Sequence, residues 1–253
     1  MSFSLILTAT IFCISLVLTM VGLGGGLVFS PLFVILGMAQ SQAASASLFL
    51  NLVAAASAAW AYSRKRMVDF SVSIPLIVAS GLAAPAGSWL NLRMDTQPFL
   101  IVMAIVLALA GARMLVSPPR QTESATDLSR SRKIVGGLAI GACIGLMSGL
   151  LGIGGGVFVV PLLIYALKTP TKIAAASSTF IVCFSSLTGF LGYAAMASVD
   201  WQFILPAALA ALAGGQLGAR IMSGHVKANS IRVLFSLVLF AMCLKLLHRF
   251  FFG

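Results

Sequence analysis

The chain has 253 residues, 60% of them hydrophobic and only 8% charged, with a mean hydropathy of +1.09; a soluble domain carries about 25% charged residues. That composition excludes an ordinary globular protein and a disordered chain, and four scattered Cys without a Gly-X-Y period exclude a disulfide scaffold and a collagen. A net charge of +11 would suggest nucleic acid in a soluble protein, but here the bases sit in short loops, where membrane topology accounts for them, so no nucleic-acid partner is expected. The expected surroundings are a lipid bilayer, crossed roughly eight to ten times at about 20 residues per span. No Lys or Arg precedes Arg64, so the first apolar run lacks the basic flank of a cleaved signal and reads as mature chain.

In chain order the apolar runs fall at 3–21, 27–39, 43–62, 70–92 and 97–116, then at 134–151, 157–167, 173–194, 202–222 and 229–251. Between the two sets lies SPPRQTESATDLSRSRK, whose Pro118-Pro119 pair and mixed charges predict a solvated linker. The expected organisation is a first transmembrane repeat over 1–116, a cytoplasmic linker over 117–133 and a second transmembrane repeat over 134–253. A shift of 130 residues lays Gly22-Leu23-Gly24-Gly25-Gly26 on Gly152-Ile153-Gly154-Gly155-Gly156, Pro31 on Pro161, Ser47 on Ser177 and Cys13 on Cys143. One extra residue then makes the shift 131, pairing Asp69 with Asp200, Pro75 with Pro206 and Gly87 with Gly218.

The short second run of each half either crosses the membrane or re-enters it. If both cross, only Arg93, Lys245 and Arg249 of the sixteen bases fall on the far side; if both re-enter, the split is ten to six. The sharper asymmetry favours crossing. The fold class is then an all-α polytopic membrane protein with inverted repeats of five segments each, four long and one short, and both termini outside. At 11 residues, about 16 Å of helix, the run 157–167 covers half a bilayer and is expected to be tilted or sunk into the protein.

The glycine turns are the most specific feature. Leu27 and Val157 break the dinucleotide fingerprint G-x-G-x-x-G, and no acid follows at the required distance. Consecutive glycines leave the backbone bare, so that its amides can approach a ligand, and a helix N-terminus beside them adds unpaired N–H donors and a positive dipole. In transporters built from repeats, broken helices of this kind meet near the midplane and form the substrate site. The alternative is that the glycines only turn the chain tightly or let helices pack. Each short run is followed by a helix opening on small polar residues: Ser41, Ser45, Ser47 and Asn51 in one half, Thr171, Ser177, Ser178 and Thr179 in the other. Neutral donors of this kind hold a small oxyanion and still release it; alternatively, they join membrane helices and bind nothing.

No ionisable residue falls in the middle of a run, which speaks against a carboxylate proton relay. Asp69, Asp95 and Asp200 lie at run ends, beside bases that suit them as partners, and Arg220 is expected to snorkel to the interface. An enzyme is not expected: a nucleophilic Ser needs a base, His225 falls in a predicted loop and His248 near the C-terminus, and Gly145-Leu146-Met147-Ser148-Gly149 is not G-x-S-x-G. Cys13, Cys143, Cys183 and Cys243 form no C-x-x-C pair, so no metal or other cofactor is expected, and the Cys13/Cys143 pair reads as small buried residues. Gly137, Gly141, Gly145 and Gly149, like Gly214 and Gly218, recur every four residues, a pattern of close helix packing.

Two GxGGG turns, each followed by a proline (Pro31, Pro161) and a Ser-rich helix start, resemble the TauE/SafE family of sulfite exporters, also grouped as toluene-sulfonate uptake permeases. The likeness spans both halves. It implies a multi-pass transporter of the bacterial inner membrane that moves sulfite, sulfonates or related organic anions, without fixing substrate, direction, coupling ion or oligomeric state; a homo-oligomer is compatible with it. The expected substrate-binding residues are Gly24, Gly25, Gly26, Pro31, Ser47 and Asn51, with Gly154, Gly155, Gly156, Pro161, Ser177, Ser178 and Thr179. Ser30 corresponds to Val160, so the half-sites would differ chemically. Rival readings are a non-transporting scaffold with partners on the basic linker, and a small-anion channel.

Overall fold

Unbroken apolar runs form long helices here, and the glycine triplets stop them. The computed structural model describes residues 2–91, 108, 112, 130–151, 154–165, 167, 169–194 and 201–252. Its helices are α1 (Ser2–Val21), α2 (Gly26–Ile35), α3 (Gln40–Arg64), α4 (Phe70–Asn91), α5 (Arg130–Leu151), α6 (Gly156–Tyr165), α7 (Thr171–Ala194), α8 (Trp201–His225) and α9 (Ala228–Phe252). Among the described residues four helices are long and apolar enough to cross a membrane, at Ser41–Arg64, Phe70–Leu90, Thr171–Ala194 and Ile204–Gly224. Apart from positions 108 and 112, the run 97–116 lies outside the described residues, as do 117–129 of the linker and Asp95, Gly152, Ile153, Lys168 and Asp200.

Four boundaries differ from the sequence reading. The short helices end at Ile35 and Tyr165 instead of residues 39 and 167. For α2 the reason is Gly37, whose φ of +93° lets the Met38 N–H close back on the Phe33 carbonyl at 3.0 Å. The linker stops before 133, because Arg130, Arg132 and Lys133 already form the first turn of α5. His225 is the last residue of α8 and not part of a loop.

Contacts fix the direction of each helix. Along α4 and α5, a side chain on Gly141, Gly145 or Gly149 would start 2.8, 2.1 or 1.9 Å from the carbonyls of Leu76, Ser80 and Ala84. Both sequences advance by four residues per contact, so the two helices run parallel, at a spacing only glycine permits. In the same way Gly214 and Gly218 of α8 meet the carbonyls of Phe12 and Leu16 of α1, again in parallel. Helix α3 also runs with α8, because Gly215 packs on Ala54 and, a few turns further along both helices, Lys65 donates to Ser223 at 2.6 Å. Against α7 it runs antiparallel: Leu48 meets Gly189 and Asn51 meets Ser186.

Helix α4 runs with α7, since Asp69 meets Ser177 and Ser88 meets Gly189, so α1, α3 and α8 point one way, and α4, α5 and α7 the other. Since α1 and α3 share a direction, residues 22–39 must carry the chain back between them, and the segment that holds α6 does the same between α5 and α7. The return is made by a glycine turn and a ten-residue helix in each case. Arg64, Lys65, Arg66 and Arg220 consequently lie at one end of the molecule, all exposed.

The main apolar core lies around α6 and the surfaces facing it, with Val157, Val159, Val160, Leu163 and Ile164 buried among Leu18, Val21, Leu23, Tyr62 and Ile181. Cys13 and Cys143, expected to be buried, are both exposed, on the surface a bilayer would cover. In a membrane protein a small apolar side chain is as well placed on the outside of a helix as in the core.

Candidate functional site

The site is built where the two glycine turns meet, and one side chain occupies the junction. Gly22 and Gly24 adopt φ of +87° and +77°, Gly154 and Gly155 +75° and +72°, values that a side chain strongly disfavours. Gly156 lies against the Leu23 backbone, so the turns touch directly. Between them stands Asn51 of α3, fully buried. A Cβ on Gly24 would collide with its Oδ1, and one on Gly154 with its Nδ2.

The Asn51 carboxamide is engaged at both ends. Its Oδ1 accepts from the N–H groups of Gly25 and Gly26, the latter at 2.9 Å, and its Nδ2 donates to Ser186 Oγ at 2.7 Å. The first N–H groups of a helix have no partner within the helix. At α2 they are met by a side chain 25 residues away on another helix, a long-range version of an N-cap. Around this bond the hydroxyls tie the turns to α3 and α7. Ser47 donates to the Gly26 carbonyl at 3.0 Å, Ser178 to the Gly22 carbonyl at 2.7 Å and Ser185 to the Gly154 carbonyl at 3.0 Å. Tyr62 and Tyr193 donate to the carbonyls of Thr19 and Gly149, just before each turn, at 3.0 and 3.1 Å.

The expected residues thus divide. Gly24, Gly25, Gly26, Asn51 and Ser47 come together with Gly154, Gly155, Gly156 and Ser178. Ser177 instead accepts from the Asp69 N–H at 2.9 Å, at the start of α4, and Thr179 donates to its own helix at the Ala175 carbonyl. Pro31 and Pro161 are each the sixth residue of a ten-residue helix. Asp69 caps α4, its carboxylate accepting from the Ser71 N–H at 3.0 Å and the Ser71 hydroxyl at 2.6 Å. Sequence reasoning missed Ser185 and Ser186. The available signal was helical spacing, since Ser185 follows Ser178 by seven residues, two turns along one face of α7.

No fixed charge stands among these groups, and among the described residues no three His, Cys, Asp or Glu side chains gather where a metal could bind. The junction is a neutral, buried array of backbone amides, hydroxyls and one carboxamide inside a helical membrane bundle. The model of the family described as sulfite exporter TauE/SafE matches residues 7–246. The chain belongs to that family. This TauE/SafE member is 24% identical over 253 residues to the probable membrane transporter protein YunE of Bacillus subtilis, covering 91% of this chain and 92% of the relative. It is 27% identical over 245 residues to a probable membrane transporter protein of Xylella fastidiosa, covering 92% and 90%. A probable membrane transporter protein of Methanocaldococcus jannaschii is 23% identical over 188 residues, covering 72% and 69%. No solved structure matches. The TauE/SafE chain is a multi-pass membrane protein of a transporter family.

Proposed function

We propose that this protein is a secondary transporter that carries a small sulfur oxyanion, sulfite or an organosulfonate, across a bacterial inner membrane. It works by alternating access between two inverted halves, with the anion site at the glycine turns. The observation that carries the reading is the convergence of both turns on Asn51 in a buried centre free of fixed charge. N–H dipoles and hydroxyls attract an anion without a fixed charge, which suits release as well as binding. The inverted arrangement is supported by direction: the helices paired by the 130-residue shift, α1 with α5, α3 with α7 and α4 with α8, point opposite ways. The basic end would be cytoplasmic by the positive-inside rule and raises the local anion concentration modestly, an effect that salt screens.

The test is radiolabelled sulfite flux into proteoliposomes, competed by sulfate, thiosulfate, methanesulfonate and toluenesulfonate under proton and sodium gradients. Saturable flux blocked by a subset of competitors is expected. Absence of flux for every anion, with protein inserted, would overturn the proposal in favour of a scaffold.

A further inference from the structure

The two turns share a sequence motif but not a state. In the first, Asn51 Oδ1 takes the N–H groups of Gly25 and Gly26. In the second, the shift of 130 or 131 puts Ile181 or Val182 at the place of Asn51, and neither can accept a hydrogen bond. Among the described residues no acceptor meets the N–H of Gly155 or of Gly156. The backbones differ accordingly: Gly25 has φ of −156°, Gly155 +72°.

A second, independent observation lies at the same turn. Ser148 of α5 is fully buried, and its hydroxyl has no hydrogen-bond partner. Its Cβ is 3.2 Å from the point where a Gly155 side chain would begin, on the α5 face that Gly155 packs against. Buried hydroxyls are ordinarily satisfied. An unused hydroxyl beside two unused amides at a helix N-terminus makes three neutral donors, the number of oxygens on a sulfonate or sulfite group.

From this we infer that the anion is held by the second turn alone, on the N–H groups of Gly155 and Gly156 and the hydroxyl of Ser148, while the Asn51 carboxamide permanently fills the matching cradle of the first. The inference rests on the transport reading above and adds an asymmetry to it. The ligand class is a small oxyanion with a three-oxygen sulfur headgroup, which can set one oxygen against each of the three donors.

The test is thermal unfolding of the purified protein titrated with sulfite and with methanesulfonate, alongside proteoliposome flux, for wild type, Ser148→Ala, Ser148→Thr and Ser15→Ala. Ser15 is another buried hydroxyl without a partner, on the α1 face packed against Gly214. Ser148→Ala removes no existing hydrogen bond, so without ligand it should unfold at or above the wild-type temperature. It should nevertheless need at least about tenfold more anion for half-maximal stabilisation and half-maximal flux, the loss of one hydrogen bond to a charged group. Ser148→Thr keeps the hydroxyl and should restore most of the response, and Ser15→Ala should respond as wild type. Wild-type anion dependence in Ser148→Ala, or an equal loss in Ser15→Ala, would overturn the assignment while leaving transport intact. Wild-type protein that neither binds nor carries any tested anion would overturn the transport reading itself.

Discussion

Replacing Asn51 by Leu tests whether the centre is held by this carboxamide. The side chains are similar in size, so little cavity forms and the change is almost purely one of hydrogen bonding. Wild-type Asn51 satisfies the N–H groups of Gly25 and Gly26 and donates to Ser186. Leu leaves both amides buried without an acceptor. At about 1–3 kcal/mol for each buried unsatisfied group, the loss is roughly 2–6 kcal/mol. With about 2–4 °C per kcal/mol for a chain of this size, the unfolding midpoint in detergent should fall by roughly 5 to 20 °C. Asn51→Asp separates structure from transport. It keeps an acceptor for both amides at the positive end of α2, so it should remain closer to wild type in stability, yet it sets a negative charge where an anion must pass and should abolish flux. An Asn51→Leu protein with the wild-type midpoint would refute the description of the junction.

Other outcomes follow from the packing and the turns. Gly149→Ala, whose Cβ would start 1.9 Å from the Ala84 carbonyl, should force α4 and α5 apart and prevent recovery of folded protein. Gly136→Ala on the same helix meets nothing within 4 Å and should raise stability by up to about 1 kcal/mol, read as a small rise in unfolding temperature. Gly155→Val should abolish flux while insertion, followed by membrane fractionation, persists, because the left-handed backbone there excludes a branched side chain. With the native cysteines removed, single cysteines at Arg66 and Ser223 should be labelled by an impermeant maleimide from one face of the membrane, and one at Gly37 from the other. Labelling of Gly37 and Arg66 from the same face would contradict the return of the chain through α2.

Much of this fold is legible from residues. The apolar runs gave the long helices, and Gly137 to Gly149 gave a packing face because spacing by four is a property of the helix itself. The position of Cys13 and Cys143 was not legible, since in a membrane protein an apolar residue is equally at home in the core and against lipid, and hydropathy no longer reports burial. The helix ends were legible where the glycine turns enforced them, at Val21 and Leu151, but not at Ile35, where a single Gly37 stops α2 inside an apolar run, nor at Arg130, where an unremarkable polar stretch continues the α5 helix. Among the site residues, Asn51 and the glycines could be named because each is unusual in its setting. Ser177, Ser178 and Thr179 could not be told apart, because three consecutive hydroxyls on a helix point in three directions and only the neighbours decide which meets the turn. Ser186 was hidden because its partner lies 135 residues away.

The shift of 130 predicts two equivalent half-sites, and the chemistry of a single position breaks that equivalence. Asn51 falls on Ile181 or Val182, neither able to accept a hydrogen bond, so a duplicated backbone carries a cap on one side only. A symmetrical pair of open helix N-termini in one small buried volume would hold an anion between two positive dipole ends, each strengthening the other, and slow its release. Capping one of them with a neutral oxygen removes half of that attraction without adding charge. The same carboxamide, bonded to Ser186 through Nδ2, ties α3 to α7 across the junction, so any movement of one half against the other has to carry or break this bond. In the transport cycle proposed above, the Asn51–Ser186 pair would couple binding to rearrangement of the halves: Ser186→Ala should leave anion affinity near wild type and change the rate of turnover, a split between KM and maximal flux that a purely structural bond would not produce.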